Sequence, residues 1–364
     1  MYFRIFNYII LGLNVLLGIS LILGVLSPYF SPKDFWYMAF FGLAFPFAFA
    51  LNFVVLVFWL IKKSKFAWVS CLAILLSLSN VPAFIQVNEK MAPKELAPKL
   101  LNVISFNTHY MGAYDYKGGD SSFFFNMLDT LQPDVICLQE FANLGGNYEK
   151  PMFKKFFKQY KSYANVNADL LNSSFPTGYG VCIFSRYPIV KKGFLELENQ
   201  NSNLTVYADI LFGGDTIRVV NTHLKSIVFD KEDYKTIETL KDAEQGPETY
   251  QMRRIVAKLK YAFLYRAKQA EKIREKLLDC PHKIILCGDF NDSPTSYSYH
   301  TIKGNLKDAF MEAGKGMSRT YIGKMPSFRI DYILHDQSWN SYDYKTNTLN
   351  FSDHKMISCK IAIP

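Results

Sequence analysis

Eight polar residues beyond position 100 stand at or beside the ends of short apolar runs. Asn107 closes ISFN, Glu140 closes DVICLQE and His223 closes VVNTH. Asp289 and Asn291 follow KIILCG, Asp331 lies within RIDYIL, and Asp353 and His354 form the end of FSDH. Polar groups at strand ends converge on one edge of a sheet, where loops open them to solvent and substrate. The set consists of carboxylates, carboxamides and imidazoles. It contains no Cys–His pattern of a structural zinc site. No phosphate-cradling G-x-x-x-x-G-K-[ST] loop, no G-x-G-x-x-G after a strand and no G-x-S-x-G elbow occurs. Oxygen donors of this kind suit hard cations, Mg²⁺ first and Mn²⁺ or Ca²⁺ next. Such a cation beside Asp, Asn and His equips a site to attack a phosphate ester with water. The cation neutralises phosphate charge, a carboxylate positions or deprotonates the water, and imidazoles hold the remaining oxygens or the leaving group.

The runs that must position these residues read as strands. They fall at about 101–107, 134–139, 180–185, 204–212, 216–222, 283–288, 329–334 and 355–363, rich in Val, Ile and aromatics and bounded by Gly, Asn, Asp and Pro. Helices are expected at Ser121–Leu131, stopped by Pro133, at Glu149–Gln159 and at Tyr250–Leu278. In the last, Ile255, Leu259, Ala262, Ala270, Ile273 and Leu277 recur at helical spacing, and the polar face is strongly basic. Residues 226–249 are polar, acidic and weakly periodic, and read as an insertion loop. Strands, helices and long loops without regular βαβ alternation predict a mixed sheet sandwich covered by helices.

The first 88 residues have another texture. Tyr8–Leu26, Phe35–Ile61 and Phe66–Val87 carry no charge. About 20 apolar residues at ~1.5 Å rise cross a ~30 Å hydrocarbon core, so three membrane spans are expected (about 8–27, 35–61 and 66–87). Ser27-Pro28 follows the first run in place of a small-residue cleavage site, which favours an uncleaved anchor. Lys62, Lys63 and Lys65 mark the cytoplasmic loop, with Arg4 on the same side. Three crossings then place the C-terminal part outside the cytoplasm, on a bacterial-type inner or plasma membrane. Residues 89–99 read as a charged, proline-bearing linker and 100–364 as the catalytic domain. Removing the five bases and one acid of 1–88 from the totals of 41 and 32 leaves 36 and 31, a surplus of five positive charges that suits an anionic substrate. Five of the six cysteines lie after residue 100, mostly in apolar runs where Cys acts as a small hydrophobe.

The ordered series SFN, LQE, SRYP, NTHL, GDFN, RIDYIL and SDH resembles that of the endonuclease/exonuclease/phosphatase family, over roughly 100–364. The resemblance implies an α+β fold, a four-layer sandwich of two packed mixed β-sheets flanked by helices, here preceded by the three transmembrane helices. It implies a Mg²⁺-dependent hydrolase acting on phosphate esters. Glu140 would be the main metal ligand with Asn107 beside it and Asp353 close to the ion. Asp289 would activate water, Asn291 would hold the phosphate and Asp289, and His223 would contact the phosphate or assist the leaving group. His354 would bind the scissile phosphate, paired with Asp331. Two departures separate the chain from abasic-site endonucleases, which have an acidic residue where His109 stands and a Tyr where His223 stands. The expected substrate is a phosphodiester of nucleic acid or of a phospholipid head group. The alternatives are a phosphomonoesterase acting on a soluble phosphate such as an inositol phosphate, and a catalytically silent membrane-bound module. Arg186 of SRYP is read as structural and left out of the site; His109, His282, His300 and His335 carry no motif support and are read as ordinary residues.

Overall fold

Runs rich in Val, Ile and aromatics, buried on both faces, are the strongest structural signal after residue 100, and they build two sheets. The computed structural model describes residues 2–87, 89–112, 122–143, 151–160, 162–166, 178–195, 205–239, 249–323, 329–349 and 352–364. Along the chain run α1 (Tyr2–Leu26), α2 (Pro32–Phe35), α3 (Met38–Ile61), α4 (Ala67–Ser77), β1 (Ile85–Gln86), β2 (Leu100–Asn107), α5 (Ser122–Leu131), β3 (Val135–Asn143), α6 (Pro151–Gln159), β4 (Ser162–Val166), β5 (Gly178–Ser185), β6 (Ile189–Leu195), β7 (Thr205–Phe212) and β8 (Asp215–His223). There follow α7 (Lys231–Thr239), α8 (Thr249–Leu278), β9 (Lys283–Asp289), α9 (Tyr297–Lys303), β10 (Lys307–Asp308), α10 (Ala309–Ala313), β11 (Gly316–Met317), β12 (Asp331–His335), β13 (Asn340–Thr348) and β14 (Lys355–Ala362). Two compact units form. One comprises Met1–Phe84, Phe229–Ala270 and Asp292–Ile302; the other comprises Ile85–Val228, Glu271–Asn291 and Lys303–Pro364.

The second unit holds two six-stranded mixed sheets, β13-β14-β2-β3-β5-β4 and β10-β12-β9-β8-β7-β6. Odd and even positions of each strand go to different places. Val103, Cys137, Ile183 and Cys359 of the first sheet meet Ala208, Val219, Cys287 and Ile333 of the second in one buried core. Ile104, Leu138, Phe184 and Met356 face the other way, against Phe124 and Leu128 of α5 and Phe156 of α6. The four cysteines of the strands, Cys137, Cys182, Cys287 and Cys359, are thus core residues, as their apolar settings suggest. A few polar bridges lock the sheets together: Asn221 of β8 donates to the carbonyls of Leu138 and Cys182 at 3.0 and 2.8 Å, and accepts from Gln139 at 2.6 Å. Residues 89–99 are docked: the Ala92 N–H reaches Asp343 at 3.1 Å and Lys90 reaches Glu312 at 3.0 Å.

In the first unit the apolar helices form a bundle. Ser70 of α4 donates to Asn14 of α1 at 2.6 Å, and Asn52 of α3 donates to the Leu17 carbonyl at 3.0 Å. Leu21, Phe45, Ala48 and Ala73 fill its centre. Two helices, Ile5–Tyr29 and Met38–Ile61, are long and apolar enough to cross a membrane, not the three expected from sequence. The third run is an 11-residue α-helix that tightens into a 3₁₀ turn over Leu78–Ala83, giving a 17-residue apolar segment, Ala67–Ala83. Pro82 has no N–H to continue the helix and restrains the residue before it. The 17 residues still rise ~28 Å, from about 1.5 Å per α and 2.0 Å per 3₁₀ residue. They return the chain to the starting end of α3, where Phe84 stacks on Phe45 at 5.4 Å. At that same end, Thr295 donates to the Gly42 carbonyl at 2.7 Å, and Phe263 of α8 meets Phe40 edge-on at 5.2 Å. Arg266 and Asp292, both buried, pair at 3.0 Å. The Lys62–Lys65 turn lies at the far end of α3.

Two further differences from the sequence reading have local causes. Residues 231–239 of the expected insertion loop are helix α7, and 240–248 lie outside the described residues. Asp230 accepts the N–H groups of Glu232 and Asp233 at 3.0 and 3.1 Å, while Asp233 accepts the Asp230 N–H at 2.8 Å. This reciprocal cap nucleates a helix whose periodicity is weak. β4, β6 and β13 were not expected. β13 is an edge strand of polar residues broken by a bulge between Tyr342 and Lys345, so it shows no period of two.

Candidate active site

Topology brings the eight residues together. β2 and β3 are parallel neighbours, as are β8 and β9, so Asn107, Glu140, His223 and Asp289 share one edge at the carboxyl ends of their strands. β12 is antiparallel to β9 and opens with Asp331 directly opposite Asp289. β14 is antiparallel to β2, which delivers Asp353 and His354 to the same edge.

Local backbone does the fine aiming. β3 bulges between Leu138 and Phe141, and Glu140 takes φ +48°. A left-handed non-glycine residue costs ~1–2 kcal/mol. Thr108 holds the bulge, its N–H bonding the Gln139 carbonyl at 2.9 Å and its hydroxyl the Glu140 carbonyl at 2.8 Å. Gly288 precedes Asp289 because a Cβ there would collide with the Thr222 carbonyl of the neighbouring strand. Asn291, also left-handed, donates its backbone N–H to Asp289 Oδ1 at 2.8 Å and its amide to the Leu224 carbonyl at 3.1 Å. Asn107 crosses between the sheets to donate to Asp289 Oδ2 at 2.9 Å.

The result is a closed ring of alternating carboxylates and imidazoles. His223 Nε2 lies 3.7 Å from both Asp289 Oδ2 and Glu140 Oε1. His109 Nδ1 lies 3.8 Å from Glu140 Oε2 and 3.3 Å from Asp353 Oδ1. His354 Nε2 lies 4.0 Å from Asp353 Oδ1 and 3.7 Å from Asp289 Oδ2, which closes the circuit. Behind the ring Asp331 grips His354 Nδ1 at 3.0 and 3.2 Å and is itself fixed by the Thr320 hydroxyl. His109 is the residue that sequence reasoning missed. Its place depends on two consecutive left-handed residues, His109 and Tyr110, and on partners far away in the chain; only its position two residues after Asn107 hinted at it. His335 and His282 stay away from the ring, paired with Glu312 and Asp209.

Burial and charge set the protonation of the ring. Burial works against an imidazolium at His354, but the charges of Asp331 and Asp289 outweigh it and push its pKa up to about 10. Burial pushes the Asp331 carboxyl up, against the pull of His354. Bonding to Asp353 raises His109 despite burial. Asp353, although buried, is held below the usual carboxylate range by His109 and His354. With Asp331 on Nδ1, the second nitrogen of His354 is a fixed donor aimed at the ring.

The donor set fits a hard cation. His223 Nε2 is buried with no hydrogen-bond partner, and the Glu140 and Asp289 oxygens stand just beyond bonding distance of it. Asp289, Asp331 and His354 also offer ligand atoms within 4.8 Å of one another. A proton held by His354 disfavours a cation on that imidazole, so the oxygen donors Asn107, Glu140, Asp289 and Asp353 fit one better.

Residues 104–354 match the model of the endonuclease/exonuclease/phosphatase family, a stretch that contains the whole ring. The chain belongs to this family. Residues 7–84 match a second family, described as a domain of unknown function. No curated protein sequence matches the chain. Among solved structures, a humanized D. rerio TDP2 is 18% identical, with a TM-score of 0.51 over 73% of this chain and 100% of that one. The human Nocturnin catalytic domain with bound sulfate anion is 16% identical, with a TM-score of 0.50 over 73% and 95%. A truncated Caenorhabditis elegans TDP2 is 16% identical, with a TM-score of 0.50 over 72% and 98%. At these identities the likeness is one of fold.

Proposed function

We propose that the chain is a membrane-anchored phosphoesterase that hydrolyses phosphodiester bonds, of nucleic acid or of phospholipid head groups, with one or more divalent cations. Mg²⁺ is the first choice, with Mn²⁺ and Ca²⁺ as alternatives. The observation that carries this reading is the ring: three carboxyl groups and three imidazoles gathered at one sheet edge, with one imidazole fixed from behind by Asp331. Glu140, Asn107 and Asp353 would hold the cation, which supplies charge neutralisation at the phosphate. Asp289, fixed by the Asn107 amide and the Asn291 N–H, takes a proton from water as the water oxygen bonds to phosphorus. His354 donates from Nε2 to a phosphate oxygen while the bond to the leaving oxygen breaks, and His223 faces that leaving group.

The anchor reading divides the chain into 1–88, a connector at 89–99 and a catalytic stretch at 100–364. Its support is the apolar, outward-facing surface of α1 and α3. The two ends of the bundle support one topology. The Lys62–Lys65 turn stands at the end of α3 away from the residues that meet Thr295 and Phe263. With that turn in the cytoplasm, the catalytic stretch lies on the non-cytoplasmic side of a bacterial-type inner or plasma membrane. A reporter fused after Pro364 is expected to be active only outside; cytoplasmic activity would reverse the topology.

The test of function is hydrolysis by the full chain in detergent, with Mg²⁺ and with EDTA. Plasmid DNA, a sphingomyelin or phosphatidylcholine emulsion and an inositol phosphate are compared side by side. Metal-dependent cleavage of a diester is expected. Turnover of the inositol phosphate alone would replace the reading with a phosphomonoesterase. No turnover of any, with metal bound and the fold intact, would favour a silent module.

A further inference from the structure

Helix α8 carries six Lys/Arg and no Asp/Glu over Thr249–Ala270, the part that belongs to the bundle unit. Three of the six are matched by acids. Arg254 pairs with Asp230, with Glu232 at 2.8 Å and with Asp233 at 3.2 Å; Lys258 pairs with Asp233 and, at 3.2 Å, with Asp230; Arg266 pairs with Asp292. Arg253, Lys260 and Lys268 have no acidic partner among the described residues. At ~100° per residue these three fall within an arc of about 80°. Tyr250 and Tyr261, 73% and 57% exposed, share that face, while Ile255, Leu259, Ala262 and Ala270 are buried on the other.

A solvated helix face normally mixes both signs of charge; over Thr249–Ala270 the charged residues of this one are all bases, beside two exposed tyrosines. It also meets the anchor. Lys260 Nζ lies 4.6 Å over the ring of Trp36, in the connector between α1 and α3. That connector holds five aromatics in eleven residues, and Tyr29, Phe30, Phe35 and Tyr37 are exposed. Aromatic rings at the end of apolar helices mark the depth of the lipid head groups. Lys and Arg at that depth attract acidic lipids over a Debye length.

We propose that the Tyr250–Lys268 face of α8 is a docking surface for the head groups of anionic phospholipids, continuous with the aromatic connector 27–37. The inference rests on the anchor reading but not on turnover. Lipid would then occupy a helix inside the catalytic stretch, so the enzyme is held to the bilayer at a second place besides its spanning helices.

The test uses the full chain, purified in a neutral detergent and titrated with phosphatidylglycerol or phosphatidylcholine. Retained lipid is counted by native mass spectrometry. The expected result is a several-fold preference for phosphatidylglycerol, lost in 0.5 M salt (an ordinary screening concentration on the order of which the Debye length is a few Å) and lost in the triple variant Arg253→Gln, Lys260→Gln, Lys268→Gln. Gln keeps helix propensity, and Arg253→Gln alone, expected to weaken the preference partly, stands in should the triple variant not fold. Equal retention of both lipids, or an unchanged preference in the variants, would overturn the proposal. A single-stranded oligonucleotide that binds wild type but not the variant, with lipid retention unchanged, would replace lipid by nucleic acid. A chain that stays monomeric without detergent would overturn both this inference and the anchor, whereas loss of phosphoesterase activity alone touches neither.

Discussion

Asp331→Asn isolates the electrostatic role of one buried carboxylate, since it keeps the side-chain size and can still accept a hydrogen bond from His354. In the wild type His354 is pushed to about 10, with Asp331 the largest of the charges that raise it and burial opposing. Without that charge the imidazole returns towards its ordinary 6.5, because burial remains while Asp289 and Asp353 supply only part of the compensation. At pH 8.5 an imidazole with a pKa of 10 is ~97% charged and one of 6.5 is ~1% charged, a difference of about 100-fold in the competent form. At pH 5.5 both are more than ~90% charged and the difference disappears. The sign is fixed: activity that needs the imidazolium is present below the pKa and lost above it. The assay is the pH dependence of kcat/KM for bis(p-nitrophenyl) phosphate between pH 5.5 and 9.5, with Mg²⁺ and the full chain in detergent. The expected variant loses activity on the alkaline side at a pH two to three units lower, on the order of the pKa change. A variant with reduced activity but an alkaline limb in the wild-type position would refute the protonated role of His354.

Glu140→Gln is expected to weaken Mn²⁺ or Mg²⁺ binding about 10–100-fold or more, read by calorimetry independently of turnover; unchanged affinity would remove Glu140 from the ion. Arg266→Ala removes the guanidinium that offsets the buried Asp292 charge, and should cost ~3–5 kcal/mol in the bundle unit, seen as a lowered melting temperature of the full chain; a melting temperature unchanged from wild type would show that the pair contributes nothing. For Glu312, burial favours the neutral acid, but His335, Ser341 and Lys90 outweigh it and hold its carboxyl well below the usual range. A depressed carboxylate contributes stability above its unfolded pKa of ~4.3 and loses it as pH falls. Glu312→Gln should therefore destabilise by ~1–2 kcal/mol at pH 7, after allowance for solvent screening, and by less at pH 3, which lies between the unfolded and folded pKa values; an equal loss at both pH values would assign the effect to packing.

The strands that carry the site were legible because each combines a β-rich run with a polar residue at its end, and the runs sit in the middle of the sheets, where both faces are buried. β13 was not, because an edge strand is freed from that constraint. Asn107, Glu140, His223, Asp289 and His354 could be read from their neighbours along the chain. His109 could not, because its role depends on where a left-handed turn carries the ring between Glu140 and Asp353. The stripe of α8 was read correctly, and Ile255, Leu259, Ala262, Ala270, Ile273 and Leu277 are all buried. That same continuity hid the boundary between compact units, which falls after Ala270. Periodicity reports that a face is covered, not what covers it. The third apolar run is a shorter helix than its composition suggests for a local reason, the 3₁₀ turn Leu78–Ala83 that contains Pro82.

The spacing of the ring argues that it exists to hold something. Polar groups buried for stability close to hydrogen-bond distance, as Asn107 does on Asp289 at 2.9 Å and Asp331 on His354 at 3.0 Å. Around the ring the separations are 3.7, 3.7, 3.7, 3.8 and 4.0 Å, with only His109 and Asp353 nearer. Small rotations of Glu140 or His223 would shorten them, and the backbone resists. His109, Tyr110, Glu140 and Asn291 are four of the seven described non-glycine residues with positive φ, each at a cost of about 1 kcal/mol or more. The hydrogen bonds that impose this conformation come from outside the ring, through Thr108, the Asn107 carboxamide and the Leu224 carbonyl. A fold that strains four residues to keep carboxylates and imidazoles just out of each other's reach is stabilised by whatever enters between them, and a donor set of this kind suits a hard cation.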